Sequence, residues 1–289
     1  MQNFKFLLGA IVLGSLAAGL QSCKKDVSTP QNPAAPTAVA GENNSAARMW
    51  MPGKTLFGVG LSPQISAVTL YKISPPPIGS GLMPGAISGL FLSSGAQLTY
   101  ATGLAYMTTD IIVSTGPLSN MPNSLLTYAV GTYTAPTSVV PCPGITDIEF
   151  NEYDGNLYGI FNNAQIVLIS LGGGIGVNYT PVLAPGQRVK GLCNYNGLLS
   201  YCLADNTPAP DPFYAYNPAF PGATPVLFNT DWGQGDGGMQ YCDGGAAPGW
   251  AIISQADTKK TVSPAPGYVV AGPAPMPGSP YGMTDLTSN

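Results

Sequence analysis

A short segment returns along this chain at nearly constant spacing, and that recurrence limits the fold more than any other feature. Thr102-Gly103-Leu104-Ala105-Tyr106, Thr146-Asp147-Ile148-Glu149-Phe150, Lys190-Gly191-Leu192-Cys193-Asn194, Gly237-Gly238-Met239-Gln240-Tyr241 and Thr284-Asp285-Leu286-Thr287 are its five copies. The apolar anchors Leu104, Ile148, Leu192, Met239 and Leu286 are 44, 44, 47 and 47 residues apart. Each copy alternates apolar and polar positions over a few residues, the pattern of a strand rather than a helix. A unit in the forties built from strands cannot bury its faces alone and must stack on its neighbours.

The rest of the unit follows each copy. Second strands are expected at Leu157–Phe161, Ile111–Ser114, Leu198–Cys202 and Trp250–Ser254, and third strands at Gln165–Ile169, Leu125–Val130 and Phe213–Pro218. Fourth strands are the weakest, with Pro181–Leu183 and Pro225–Phe228 as candidates. Gly 37 and Pro 29 supply the turns, while 45% hydrophobic residues provide enough material for a core. The fold class expected is all-β. Residues 49–289 resemble a β-propeller of five four-stranded blades, with a six-bladed ring or an open array as the alternatives. Leu56-Phe57-Gly58-Val59-Gly60 reads as a second strand with no first strand before it, and Thr284–Thr287 is a spare first strand. Closure is therefore expected by the C-terminal strand pairing into the N-terminal blade, which removes an exposed edge.

The N-terminus carries a separate message. Lys5 precedes an apolar run, Phe6–Leu20, which is shorter than a comfortable membrane span and suits a signal peptide. It ends in Leu20-Gln21-Ser22-Cys23, which resembles the lipobox of bacterial lipoproteins, and Ser22-Cys23-Lys24-Lys25-Asp26 resembles lipoprotein junctions common in Bacteroidota. The resemblance implies cleavage after residue 22, lipidation (a diacylglycerol thioether and N-palmitate) at Cys23, and a membrane partner through that anchor. Lys24 rather than Asp after the cysteine favours the outer membrane, with the body facing the periplasm or the cell surface. Residues 23–48 are rich in Pro, Ala, Ser and Asn and read as a flexible tether.

Composition narrows the chemistry. The chain has no histidine, so Ser-His-Asp and Cys-His catalysis and His-ligated metals are excluded. A net charge of −4 with scattered Lys and Arg excludes a phosphate-tracking surface, hence nucleic acid. Cys142, Cys193, Cys202 and Cys242 are disulfide candidates for an exported protein, with buried free thiols as the alternative.

Carboxylates are rare, yet Asp147, Glu149, Glu152 and Asp154 crowd one hairpin. Asp154-Gly155-Asn156 is a turn. Asp147 and Glu149 share one strand face, and Asp285 repeats the Asp147 position. Three roles stay open for them: capping of backbone amides, a Ca²⁺ site using Asp147 and Asp285, or a glycoside-cleaving set of Asp147, Glu149 and Asp285. The last is implied by the resemblance, because five-bladed propellers include glycosidases with three acidic residues. Asp231, Trp232 and Asp236 form a second polar cluster suited to a sugar face. The function expected is a lipid-anchored binding module for a glycan, peptide or protein ligand, with a glycoside-active enzyme and a structural subunit of a surface assembly as alternatives.

Overall fold

The computed structural model describes residues 56–288 apart from 63–66, 75–82, 196, 206–210, 230–238, 243–248, 254–257, 263–269 and 276–282, and from residue 228 onward it describes backbone only. The chain divides into Met1–Thr37 and Ala38–Asn289, and every described residue belongs to the second unit. Cys23 and the tether lie outside the described residues.

Twenty strands and no helix make up the described residues. They are β1 (Leu56–Ser62), β2 (Ala67–Ser74), β3 (Met83–Gly89), β4 (Gly103–Met107), β5 (Asp110–Ser114), β6 (Ser124–Ala129), β7 (Ser138–Pro141), β8 (Ile145–Asn151), β9 (Asn156–Phe161) and β10 (Gln165–Ile169). There follow β11 (Ile175–Tyr179), β12 (Arg188–Tyr195), β13 (Leu198–Ala204), β14 (Phe213–Tyr216), β15 (Val226–Asn229), β16 (Met239–Cys242), β17 (Gly249–Ile253), β18 (Thr258–Val262), β19 (Val270–Pro275) and β20 (Met283–Ser288). They form five four-stranded sheets: β20-β1-β2-β3, β4-β5-β6-β7, β8-β9-β10-β11, β12-β13-β14-β15 and β16-β17-β18-β19. The strands bearing the repeated segment are the inner members. β4 lies beside β8, β8 beside β12, β12 beside β16, β16 beside β20, and β20 beside β4. This is a β-propeller arrangement.

One sheet is assembled from both ends of the repeat region. β20 pairs antiparallel with β1, from Leu56↔Ser288 to Gly60↔Met283. Its neighbours β2 and β3 complete a meander like those of the other sheets.

The core explains why the second strands read as unbroken apolar runs. The sheets of β5 and β9 are covered on both faces, so successive residues of one strand enter different clusters. Ile111 and Val113 of β5 pack with Phe57, Val59, Val68 and Leu70 of the preceding sheet. Ile112, between them, packs with Ile145, Ile148, Val167 and Ile169 of the following sheet. The same division recurs in β9, where Leu157 faces one neighbour and Tyr158 and Ile160 face the other, against Val189, Leu192, Leu199 and Tyr201. Apolar burial between sheets is therefore the main cohesive term.

One expectation is corrected here. Pro181–Leu183 is a connection, and the fourth strand of its sheet is β11, at Ile175–Tyr179. Outer strands β3 and β7, unassigned from the sequence, are present. The Gly172-Gly173-Gly174 run is the tight link between β10 and β11, with Gly173 at φ +89°.

Packing between sheets yields a direct test. Ile112 is fully buried between two sheets, so Ile112→Ala should cost ~2–5 kcal/mol and lower Tm by roughly 5–15 °C. Gly103→Ala should be comparably damaging, because its Cβ would lie 2.6 Å from the backbone nitrogen of Ile148. Thermal unfolding by circular dichroism measures both, and an unchanged Tm for either variant would contradict the packing described.

Candidate functional site: the acidic inner strand

The clearest concentration of polar chemistry is β8. Asp147, Glu149 and Asn151 alternate along one face of it. All three are buried, with Asp147 6% and Glu149 2% exposed. Strand alternation alone sets them on one face; what they meet there is the backbone of the next inner strand.

Asp147 Oδ1 accepts the N–H of Ile148 at 2.8 Å. Its Oδ2 accepts the N–H of Leu192, on β12, at 2.8 Å. Two residues on, Glu149 Oε1 accepts the N–H of Asn194 at 3.1 Å. Two further on, Asn151 donates its side-chain amide to the carbonyl of Gly197 at 3.2 Å. β8 and β12 belong to different sheets and share no ladder. The side chains of β8 thus supply acceptors to the inner edge of β12 where no strand pairs with it. A carboxylate accepting backbone N–H groups in a buried place is a strong, charge-assisted arrangement.

Local irregularities make these contacts reachable. The ladder between β8 and β9 slips after Ile145, so Thr146 is an extra residue and Asp147 follows the bulge. β12 slips between Lys190 and Cys193, and Gly191 takes φ +60°, a left-handed conformation that glycine adopts without strain. Gly103 of β4 approaches Ile148 so closely that no side chain fits. Asp147 Oδ1 accepts the Ile148 N–H that faces Gly103.

The hairpin end of the same strand has its own network. Asp154 Oδ1 accepts the N–H of Asn156 at 3.0 Å, with Gly155 at φ +72° completing the turn. Asp154 Oδ2 accepts the Tyr158 hydroxyl at 2.7 Å. Burial, and then the neighbouring Asp154 carboxylate, push the Tyr158 phenol well above its ordinary value. Glu152 is exposed. Beyond Tyr158 lies an aromatic group bridging two sheets: Tyr179 stacks on Tyr216 at 4.6 Å between ring centres, and Tyr216 donates to Asn178 at 2.8 Å.

The other sequence candidates divide as follows. Asp285 holds a register position on β20, opposite Val59; its side chain lies outside the described residues. Asp231, Trp232 and Asp236 lie outside them altogether. Cys142, Cys193 and Cys202 are buried and form no disulfide, and burial raises the Cys142 thiol above its usual value. Cys193 and Cys202 sit on paired strands, although Cys193 is opposite Ser200 rather than Cys202. Cys242 is on β16. Among the described residues no three Cys, Asp or Glu side chains come together to hold a metal ion. Asn151 and the backbone amides of Leu192 and Asn194 were not among the candidates. Asn151 was findable, because it continues the alternation of Asp147 and Glu149; the amides carry no sequence signal.

No family model matches this chain, and no curated protein matches it. Solved structures with similar folds include a protein from Lactobacillus plantarum, at 11% identity and TM-score 0.38, covering 81% of this chain and 69% of that one. A structure described as YCF48 bound to D1 peptide matches at 12% identity and TM-score 0.35, covering 71% of this chain and 63% of that one. A protein of unknown function from Bacteroides thetaiotaomicron VPI-5482 matches at 10% identity and TM-score 0.43, covering 75% of this chain and 64% of that one. The chain thus spans about two thirds of the length of each. None of these likenesses says what the chain binds.

The geometry at β8 predicts a stability effect. Asp147→Ala leaves two buried N–H groups without their acceptor and should cost ~2–5 kcal/mol. Glu152→Gln, on the exposed turn, should stay within ~0.5 kcal/mol. Urea unfolding of the two variants beside the parent measures this. Equal midpoints for Asp147→Ala and Glu152→Gln would contradict the assignment.

Proposed function

We propose that the chain is a lipid-anchored binding module, a closed ring of five blades that presents a protein or peptide partner with the loop end of the ring. The observation that carries the proposal is the placement of two exposed apolar side chains. Leu118 is 82% and Val182 91% exposed. Leu118 lies between β5 and β6, and Val182 between β11 and β12. The start of β4 pairs with the end of β5, and the start of β12 with the end of β13. Second-to-third and fourth-to-first connections therefore emerge at one end of the ring, and both side chains stand there. Exposed apolar side chains on loops held by a rigid scaffold suit recognition of another protein.

Catalysis is not part of the proposal. Both oxygens of Asp147 and one of Glu149 hold backbone amides, which favours a structural role over acid–base work. The lipobox-like Leu20–Cys23 supports anchoring at Cys23 in the outer membrane, with residues 24–48 as tether. Closure into five blades is supported by the cycle of inner-strand neighbours.

The test places a photo-crosslinking amino acid at 118, at 182 and, as control, at Tyr153, which is exposed on the hairpin between β8 and β9. Irradiation of cells should give a discrete protein adduct from 118 and 182 and none from 153. Adducts from 153 alone, or from no position, would contradict the proposal. In the same strains Cys23→Ser should move the protein from the membrane fraction to the soluble one.

A further inference from the structure

The loop that bears Leu118 is firmly held although Leu118 itself stands in solvent. At its neck Thr115 is buried. The Ser124 N–H donates to Thr115 Oγ1 at 2.9 Å, the Thr115 N–H donates to the Ser124 carbonyl at 2.9 Å, and the Thr115 hydroxyl donates to the Met121 carbonyl. Within the loop Ser119 is buried and Met121 packs against the apolar cluster that β5 enters.

Asn120 ties the same loop to the neighbouring connection, between β3 and β4, through its backbone and both ends of its side-chain amide. Its N–H donates to Thr99 Oγ1 at 2.9 Å. Its Oδ1 accepts the Thr99 N–H at 3.1 Å and the Thr99 hydroxyl at 3.3 Å. Its Nδ2 donates to the Gln97 carbonyl at 2.9 Å. The segment it grips is fixed in turn, since the Val68 N–H of β2 donates to the Leu98 carbonyl at 2.7 Å. Val182 is held in a comparable way: Pro181 before it is buried, Leu183 after it packs against an apolar cluster, and the Ala184 N–H donates to Gln187 Oε1 at 3.0 Å.

A protruding leucine on a fixed loop can bury its surface only in a concavity. An extended peptide has no concavity to offer; a folded surface has. A loop ordered in advance also avoids the entropy cost of ordering on contact, and apolar anchors seated in partner pockets dominate interface energetics. Residues 97–100, 116–123 and 180–187 carry no charge, so attraction across this surface is not screened by salt.

We propose that Leu118 is the anchor of the binding surface and enters an uncharged apolar pocket on a folded protein partner, with Asn120 as the positioning residue that presents it. The inference rests on the binding role proposed above and narrows its partner from protein or peptide to folded protein.

Two readouts test it. In the ¹⁵N-labelled full chain carrying Cys23→Ser, the Leu118 amide should show the order parameter of rigid backbone, ~0.85, and fall toward ~0.6 in Asn120→Ala, while the Val182 amide stays unchanged. Thr99→Val removes the opposing hydroxyl and should act in the same direction. In cells with the photo-crosslinking amino acid at 182, Leu118→Ala and Asn120→Ala should each lower the adduct about tenfold, and the partner segment joined to 182 should resist limited proteolysis. A Leu118 amide as mobile in the parent as in Asn120→Ala, or an adduct unchanged by Leu118→Ala, would overturn the proposal. An adduct on a segment cleaved at once would identify an extended peptide and overturn this proposal alone. No adduct from either 118 or 182 would overturn it together with the binding role.

Discussion

The hydrogen bonds from Asp147 and Glu149 to the amides of Leu192 and Asn194 solve a problem that every ring of separate sheets must face. An inner strand pairs on one side only, and its other edge faces the next sheet. Buried N–H groups left there without acceptors would each cost ~1–3 kcal/mol. A neighbouring sheet cannot supply a ladder without ceasing to be a separate sheet. Side chains must do it: on β8 Asp147 and Glu149 supply acceptors in succession, and Asn151 next along the strand donates to the Gly197 carbonyl.

Adjacent junctions differ in how they are built. Between β4 and β8 the approach is so close that Gly103 cannot carry a Cβ, and Ala105 joins the apolar cluster with Ile148. Between β8 and β12 the contact is polar at the strand itself, while Ile160, Leu192 and Tyr201 pack apolar surface behind it. Asp147 links the two junctions, since one oxygen holds the amide facing Gly103 and the other holds the amide on β12. The acidic residues that first suggest chemistry are thereby part of the frame. The two most exposed large apolar side chains, Leu118 and Val182, belong to connections that the frame merely holds in place.

Much of this was readable from the residues. Recurrence of the apolar anchors located the inner strands, and the continuous apolar runs located the second strands because those strands are buried on both faces. Outer strands were harder. β7 and β11 are largely exposed, so neither alternation nor an apolar run marks them, and Pro181-Val182-Leu183 mimicked a strand while Val182 stands in solvent. The shared face of Asp147 and Glu149 followed from alternation. Their partners did not, because a backbone amide 45 residues away is set by how the sheets stack and by bulges at Thr146 and Gly191.

The most direct measurement is the scalar coupling transmitted through the hydrogen bond between the Leu192 amide nitrogen and the Asp147 carboxylate carbon, recorded on the deuterated, ¹³C,¹⁵N-labelled protein. The account predicts a cross-peak joining these two nuclei, and its loss in Asp147→Ala. No cross-peak, with a Leu192 amide that exchanges as fast as those of exposed turns, would mean that the carboxylate is not held by the next strand and that β8 again qualifies as a site for chemistry.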